Sequence, residues 1–324
     1  MADLRIHVAV DGDPSSITPR PGAAGDAFLE ALREATTGWA SLTRGPSAEI
    51  PRDAEVVVGS RIPPEMLADR PALRAILVPW AGIPGSLRAS VERAKRTDLD
   101  VLNIHHNAAS AAETAIGLLL SAARGIHRLD PELRRGDWSQ RYLPRPSRRL
   151  EGSRAVVLGR GAIGSRIERG LRGLGMETTT VGRPASGGRW RPGDLAERVR
   201  NAAVLMIAIP SSPTTDRVVD ATVLDALPDG IVVNVGRGAV VDEQAMFERL
   251  RDGRLFAAGL DVWWRVPTEV ADRRDTPPSN LAFHELDNVA MTPHVGGGLG
   301  EPGIETARAE AIAAVLQAWR SRVD

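Results

Sequence analysis

Six short apolar runs recur between residues 154 and 294, and stretches with helical spacing lie between most of them. The runs are "RAVVLG", "METTTVG", "AAVLMIAIP", "GIVVNVG", "LFAAGLDV" and "NVAMTPH". Runs this short and this rich in Val, Ile and Leu fit strands buried on both faces. Alternation with helices threads such strands into one parallel sheet. A second alternating block precedes the first. There "LRIHVAV", "EVVVGS", "LRAILVPWAG" and "LDVLN" read as strands, and "AGDAFLEALREAT" and "PPEMLADRP" as helices. Two such blocks in 324 residues predict an α/β chain with two Rossmann-like domains, each a doubly wound parallel sheet. A single long helix is expected from Ser110 to Leu129. Its apolar residues fall on most faces, so it should be buried between domains or between subunits.

Composition removes several classes of function. The 41 basic and 41 acidic residues cancel, so no global field favours nucleic acid or an anionic membrane, and neither partner is expected. Without cysteine there is no disulfide, no thiolate nucleophile and no Cys-ligated metal; no metal site is expected. The N-terminal "MADLRIHVAVDGD" lacks the basic and long apolar regions of a secretory signal. The stretch "AASAAETAIGLLLSAARGI" carries Glu113 and is short for a bilayer span. The expectation is a soluble, cytoplasmic protein.

The first site is a glycine loop. "VVLGRGAIGSRI" sets Gly159, Gly161 and Gly164 in G-x-G-x-x-G spacing, after an expected strand and at the start of an expected helix. The first glycine allows a tight turn, the second admits a pyrophosphate to the backbone, and the third lets helix and strand pack closely. The helix N-terminus adds unpaired N–H groups and a partial positive charge. Arg160, Ala162 and Ile163 complete this cofactor-binding loop. The next strand bears on which dinucleotide is bound. An NAD site ends that strand with Asp or Glu, which binds the ribose hydroxyls. Here the position holds Gly182, followed by Arg183. Gly leaves room for a 2′-phosphate and Arg can grip it with two hydrogen bonds. NADP is therefore favoured, with NAD as the alternative.

Five segments, in order, resemble one family. They are "IHHNAASAAE", "GRGAIG", "NVGRGAVVDEQAM", "GLDVW" and "MTPHVGG". The chain resembles the D-isomer-specific 2-hydroxyacid dehydrogenases over nearly its whole length. The resemblance implies a nucleotide domain, residues 103–295, inserted into a discontinuous, flavodoxin-like substrate domain, residues 1–102 plus 296–324. It places the active site in the cleft between them. It implies that Arg237 binds the carboxylate and C2 oxygen of a small anionic substrate, and that His294 serves as acid and base. It implies that Asp261 orients the nicotinamide, with Pro210, Thr215 and Val235 also beside the cofactor. Trp80, Ala81, Gly82 and Asn107 are implied substrate contacts, and a homodimer is implied. The chemistry is consistent with these roles. A guanidinium stays charged and holds a planar anion with paired bonds, and an imidazole titrates near neutrality. For His105 and His106, a cleft-facing and a structural role stay equally open. Asp242 and Glu243 are expected to cap the following helix, and Trp263 and Trp264 to pack.

One departure stands out. The family pattern puts Glu five residues after the Asp of "DV", paired with the histidine; here that residue is Val266. Valine cannot stabilise imidazolium. Three accounts stay open. His294 works alone with an ordinary or lowered pKa; Glu269, Glu285 or Asp287 substitutes; or catalysis is lost. The resulting expectation is hydride transfer between NAD(P)(H) and a small 2-hydroxy or 2-oxo acid. The alternatives are a dehydrogenase of a small oxyanion of the formate, phosphite or phosphonate type, and a non-catalytic NAD(P)-regulated binding protein.

Overall fold

The computed structural model describes residues 3–10, 23–144, 146–184, 190, 192–269, 271–298 and 300–323. The chain divides into two compact units. The first comprises Met1–Asn107, Thr268–Val270 and Gly300–Asp324; the second comprises Ala108–Pro267 and Ala271–Leu299.

In the first unit, strands β1 (Leu4–Ala9), β2 (Ala40–Gly45), β3 (Val56–Val58), β4 (Ala75–Val78) and β5 (Asp100–Asn103) form one sheet in the order β2-β1-β3-β4-β5. Every pairing is parallel. The connecting helices are α1 (Ala23–Thr36), α2 (Pro64–Ala68) and α3 (Gly85–Arg93). The central strands β3 and β4 are buried at every residue, which is why they read as unbroken apolar runs. Strand β2 has no counterpart among the expected strands. It is an edge strand, paired to β1 alone, and its "ASLTRG" alternates half-buried and exposed residues without an apolar run. Separate clusters cover the two faces. One gathers Ile6, Val8, Leu32, Val56 and Leu77; the other Val57, Ile62, Leu67, Ile76 and Leu87.

The second unit begins with two helices where one was expected. Helix α4 (Ala108–Arg124) stops before Gly125, whose φ of 67° is left-handed, and α5 (Ile126–Arg134) starts after it. Helix α4 buries Ala115, Leu118, Leu119 and Ala123 against its own unit's sheet. Helix α5 has no residue buried within the chain. The remaining elements are β6 (Arg154–Leu158), α6 (Ala162–Gly173), β7 (Glu177–Val181), α7 (Pro192–Val199), β8 (Val204–Ile207), α8 (Ala221–Asp225), β9 (Ile231–Asn234), α9 (Glu243–Arg251), β10 (Ala257–Leu260) and β11 (Val289–Met291). The sheet order is β11-β10-β9-β8-β6-β7, again all parallel. After β7 the chain crosses back to β8 on the other side of β6. That reversal opens a crevice at the C-terminal ends of β6 and β8, where α/β sheets bind ligands.

Helix α10 (Ile304–Val323) returns to the first unit and packs on α1. Its Trp319 is fully buried, and the indole N–H donates to the Asp100 carboxylate at 2.7 Å. Truncating such a tryptophan to alanine typically costs about 3–5 kcal/mol, so this one side chain fastens the C-terminal helix to β5. Among the described residues, no helix is long and apolar enough to cross a membrane, and no group of His, Asp and Glu could hold a metal ion.

Candidate active site

The glycine loop lies at the β6–β8 crevice. Gly159 has φ +126°, and a Cβ there would sit 2.6 Å from the Ala208 carbonyl oxygen just after β8. A Cβ on Gly164 would fall 2.0 Å from the Gly159 carbonyl oxygen. Protein packing therefore demands both glycines. Gly161 differs: a Cβ there would meet nothing within 4 Å. It is the N-cap of α6 and offers no side-chain cap, so the first N–H groups of α6 await a partner from outside the helix. Open space before an uncapped helix N-terminus is what a pyrophosphate requires. The loop fits a dinucleotide.

At the end of β7, Gly182 stands where an NAD site carries an acid. An added Cβ on Gly182 would lie 3.5 Å from the Arg160 Cβ, and the Arg160 guanidinium donates to the Thr180 carbonyl at 3.3 Å. Arg183 is exposed beside it. Two arginines thus flank the position where a carboxylate would repel phosphate. Thr215 is buried, and its hydroxyl donates to the Pro210 carbonyl at 2.7 Å, which ties the turn after β8 into a closed loop. Val235 is buried at the end of β9.

Arg237 is set by its neighbours. The Asn234 amide donates to the Arg237 carbonyl at 3.0 Å and accepts from the Gly236 N–H at 3.0 Å. A Cβ on Gly238 would lie 2.4 Å from the Trp263 carbonyl, so the Arg237 turn rests against the segment after β10. The guanidinium donates to the Gly236 carbonyl at 2.6 Å and keeps its other N–H groups. Burial lowers its pKa, but a guanidinium remains charged at any working pH.

Asp261 ends β10 and is 2% exposed. One carboxylate oxygen accepts from the Thr292 hydroxyl at 2.7 Å and the Val295 N–H at 2.8 Å; the other accepts from the Gly296 N–H at 3.0 Å. These bonds clamp the chain on both sides of His294, whose φ of 56° is unusual for a residue with a side chain. Trp263 adds a bond from its indole N–H to the Thr292 carbonyl at 2.8 Å. A carboxylate accepts about four hydrogen bonds, so three of the positions on Asp261 are already used by the His294 loop. Sequence reasoning singled out Asp261 but missed the clamp. Thr292, Val295 and Gly296 lie more than thirty residues downstream, and only the order of "GLDVW" and "MTPHVGG" hinted at a link.

The His294 pKa is lowered. Crowding by neighbouring atoms is the largest cause, the Arg237 charge the second, and the Asp261 charge opposes both. The residue is exposed at its surface, so water offsets part of the crowding effect, and the Arg237 charge is the firmer reason. Val266 is 56% exposed. Glu269, Glu285 and Asp287 are exposed, and the carboxylate whose charge favours protonated His294 is Asp261. Asp242 caps α9, accepting from the Ala245 N–H at 2.9 Å, while Glu243 accepts from the Ser279 hydroxyl at 2.5 Å rather than capping. Trp263 and Trp264 pack around Phe283 as expected.

In the first unit, the Asn103 amide donates to the Ala81 carbonyl at 2.6 Å and holds the Trp80–Gly82 loop at the end of β4. Trp80 packs against the cluster beneath that loop. Asn107 presents a buried Oδ1 without a partner.

Comparisons with known proteins place the chain in a family. A family profile described as the NAD-binding domain of D-isomer specific 2-hydroxyacid dehydrogenases matches residues 116–296. A hydroxypyruvate reductase of Thermotoga maritima is 30% identical over 229 residues, 69% of this chain and 72% of the relative. A 2-ketogluconate reductase of Gluconobacter oxydans is 30% identical over 73% of each chain. The crystal structure of an NADPH-dependent glyoxylate/hydroxypyruvate reductase from Sinorhizobium meliloti, in complex with NADP and malonate, superposes with a TM-score of 0.70. It is 26% identical and covers 99% of this chain and 94% of that one. The chain belongs to the D-isomer specific 2-hydroxyacid dehydrogenase family and is an NAD(P)-dependent oxidoreductase acting on CH–OH groups.

Proposed function

We propose that the protein interconverts a small anionic 2-oxo acid and its D-2-hydroxy acid, with Arg237 binding the substrate and His294 as acid and base. The observation that carries this reading is the Asp261 clamp, which fixes His294 within the electrostatic reach of Arg237. The second unit takes the nucleotide-binding role and the first the substrate-binding role, through Trp80, Ala81, Gly82 and Asn107. The bound nicotinamide supplies or accepts the hydride at C2. Arg237 pairs with the carboxylate and polarises the C2 oxygen, stabilising the negative charge that grows there. His294 gives its proton to that oxygen in reduction and takes it back in oxidation. Asp261 acts mainly by holding the His294 loop, and its one remaining acceptor position is free for the nicotinamide carboxamide. The first of the three accounts of Val266 is the one adopted: His294 titrates without a dedicated Glu.

The two arginines at the end of β7 favour NADP over NAD. The test is a panel in which glyoxylate and hydroxypyruvate are run with NADPH and with NADH, and formate and phosphite with NADP+ and with NAD+. The expected result is reduction of 2-oxo acids, faster with NADPH and abolished in His294→Ala. Arg183→Ala should raise the KM for NADPH by about 10-fold and leave NADH unchanged. Turnover of formate or phosphite alone, or a wide preference for NADH, would overturn the respective assignment.

A homodimer is the proposed assembly. Ile126, Leu133, Trp138, Tyr142 and Leu143 are large apolar side chains, each at least 50% exposed, within one short segment. A second copy covering this segment would remove that surface from water. Sedimentation equilibrium should give a dimer for the wild type and a monomer for Trp138→Glu; a monomeric wild type would refute the proposal.

A further inference from the structure

The C-terminal edge of the first unit's sheet holds a histidine to which no role has been given. Three residues beyond Asn103, His106 meets the buried face of α10. The Arg308 Nε–H donates to His106 Nε2 at 3.3 Å. Arg308 is 3% exposed, pairs with Glu305 at 2.9 Å and lies 5.8 Å over the Phe28 ring. A guanidinium has donors and no acceptors. The His106 Nε2 facing it must therefore carry a lone pair, and the ring is neutral with its proton on Nδ1. Electrostatics leads to the same state. Burial, then the Arg308 charge, holds the His106 pKa down to about 4.

The outcome is a donor of fixed position. His106 Nδ1 is shielded from water and has no hydrogen-bond partner, and so is the neighbouring Asn107 Oδ1. Buried polar groups are almost always paired, and two orphans on successive residues need an explanation. They stand at the C-terminal edge of a parallel sheet, close in sequence to the Asn103 amide that holds the Ala81 loop. A 2-oxo acid bears oxygen acceptors and no N–H donors, which suits a neutral donor that cannot switch its tautomer.

We propose that His106 is a substrate-orienting residue whose Nδ1–H donates to an oxygen of the small 2-oxo acid, and that Arg308 is a positioning residue that fixes the tautomer. This inference rests on the 2-oxo acid reading above. Ligand binding then uncovers Nδ1 and supplies the acceptor it lacks. Asn107 Oδ1 is the matching acceptor for a hydroxyl in the reduced product.

The test compares His106→Leu with His106→Gln, which keeps an N–H donor. Glyoxylate and hydroxypyruvate are reduced with NADPH, and the NADPH Kd and Tm are measured alongside. His106→Leu should raise the KM for the acid by about 10-fold or more, the usual worth of a hydrogen bond to a charged acceptor, with a smaller change in kcat. The NADPH Kd should stay unchanged, and His106→Gln should recover most of the lost KM. In the 15N spectrum of the wild type with NADPH bound, the His106 Nδ1–H should be protonated and should shift when malonate is added. A His106→Leu enzyme with wild-type KM, or Leu and Gln variants equally impaired in both KM and Tm, would overturn the proposal. If the wild type reduces neither acid, the functional reading itself fails; the malonate titration still reports on His106 separately, and an unmoved Nδ1 signal would overturn its role.

Discussion

The loop at residues 159–164 and the loop at residues 292–296 both follow the C-terminal end of a strand in the same sheet, yet they are held in opposite ways. The first is shaped by missing side chains. Gly159 and Gly164 let backbone meet backbone, and Gly161 leaves open space in front of the α6 N-terminus. The second is shaped by one side chain. Asp261 reaches across from β10 and binds Thr292, Val295 and Gly296 around a strained His294. The difference suits the tasks proposed for them. A pyrophosphate needs backbone N–H groups at close range, whereas a proton-transfer group needs a fixed orientation and a tuned charge.

Substitutions can break this contrast in graded steps. The largest effect is expected from Gly164→Ala. Its Cβ would overlap the Gly159 oxygen, so the loop must shift; stability should fall by about 1–3 kcal/mol and cofactor binding should be lost. Next comes Asp261→Asn. An amide nitrogen would face at least one loop N–H, leaving a buried donor unpaired at a cost of about 1–3 kcal/mol. Its kcat should fall more than its KM for the acid, because the loop that carries His294 loosens. Gly161→Ala should spare Tm, since nothing in the protein lies near its Cβ, while weakening NADPH by about 10-fold. Thermal melts with fluorescence titrations of NADPH check all three. If Gly161→Ala melts as early as Gly164→Ala, the distinction between packing and ligand glycines is wrong.

Local features were legible from the sequence and long-range ones were not. The glycine spacing, the six strands of the second sheet and the Asp242 cap each depend on residues within a few positions of one another. Strand β2 escaped because an edge strand needs no apolar run, and the break between α4 and α5 hung on the single Gly125. The Asp261 clamp joins residues up to 35 apart, and the Arg308–His106 bond joins residues 202 apart. No periodicity encodes such pairs. Arg308 was also hidden by its type, since an arginine on an amphipathic helix is ordinarily assigned to the wet face, and here it is buried.

The central claim is that His294 carries the proton without a dedicated glutamate, its pKa lowered by its surroundings and by Arg237 and countered only by Asp261. The decisive measurement is the pH dependence of kcat/KM for 2-oxo acid reduction, in the wild type and in Val266→Glu. Reduction needs protonated His294, so the wild-type rate should fall as pH rises through a midpoint below the free-imidazole value of about 6.5. Val266→Glu should move that midpoint upward by about one unit, because a carboxylate favours imidazolium. A wild-type midpoint above about 7 would contradict the account, since some other group would then be holding the proton on His294.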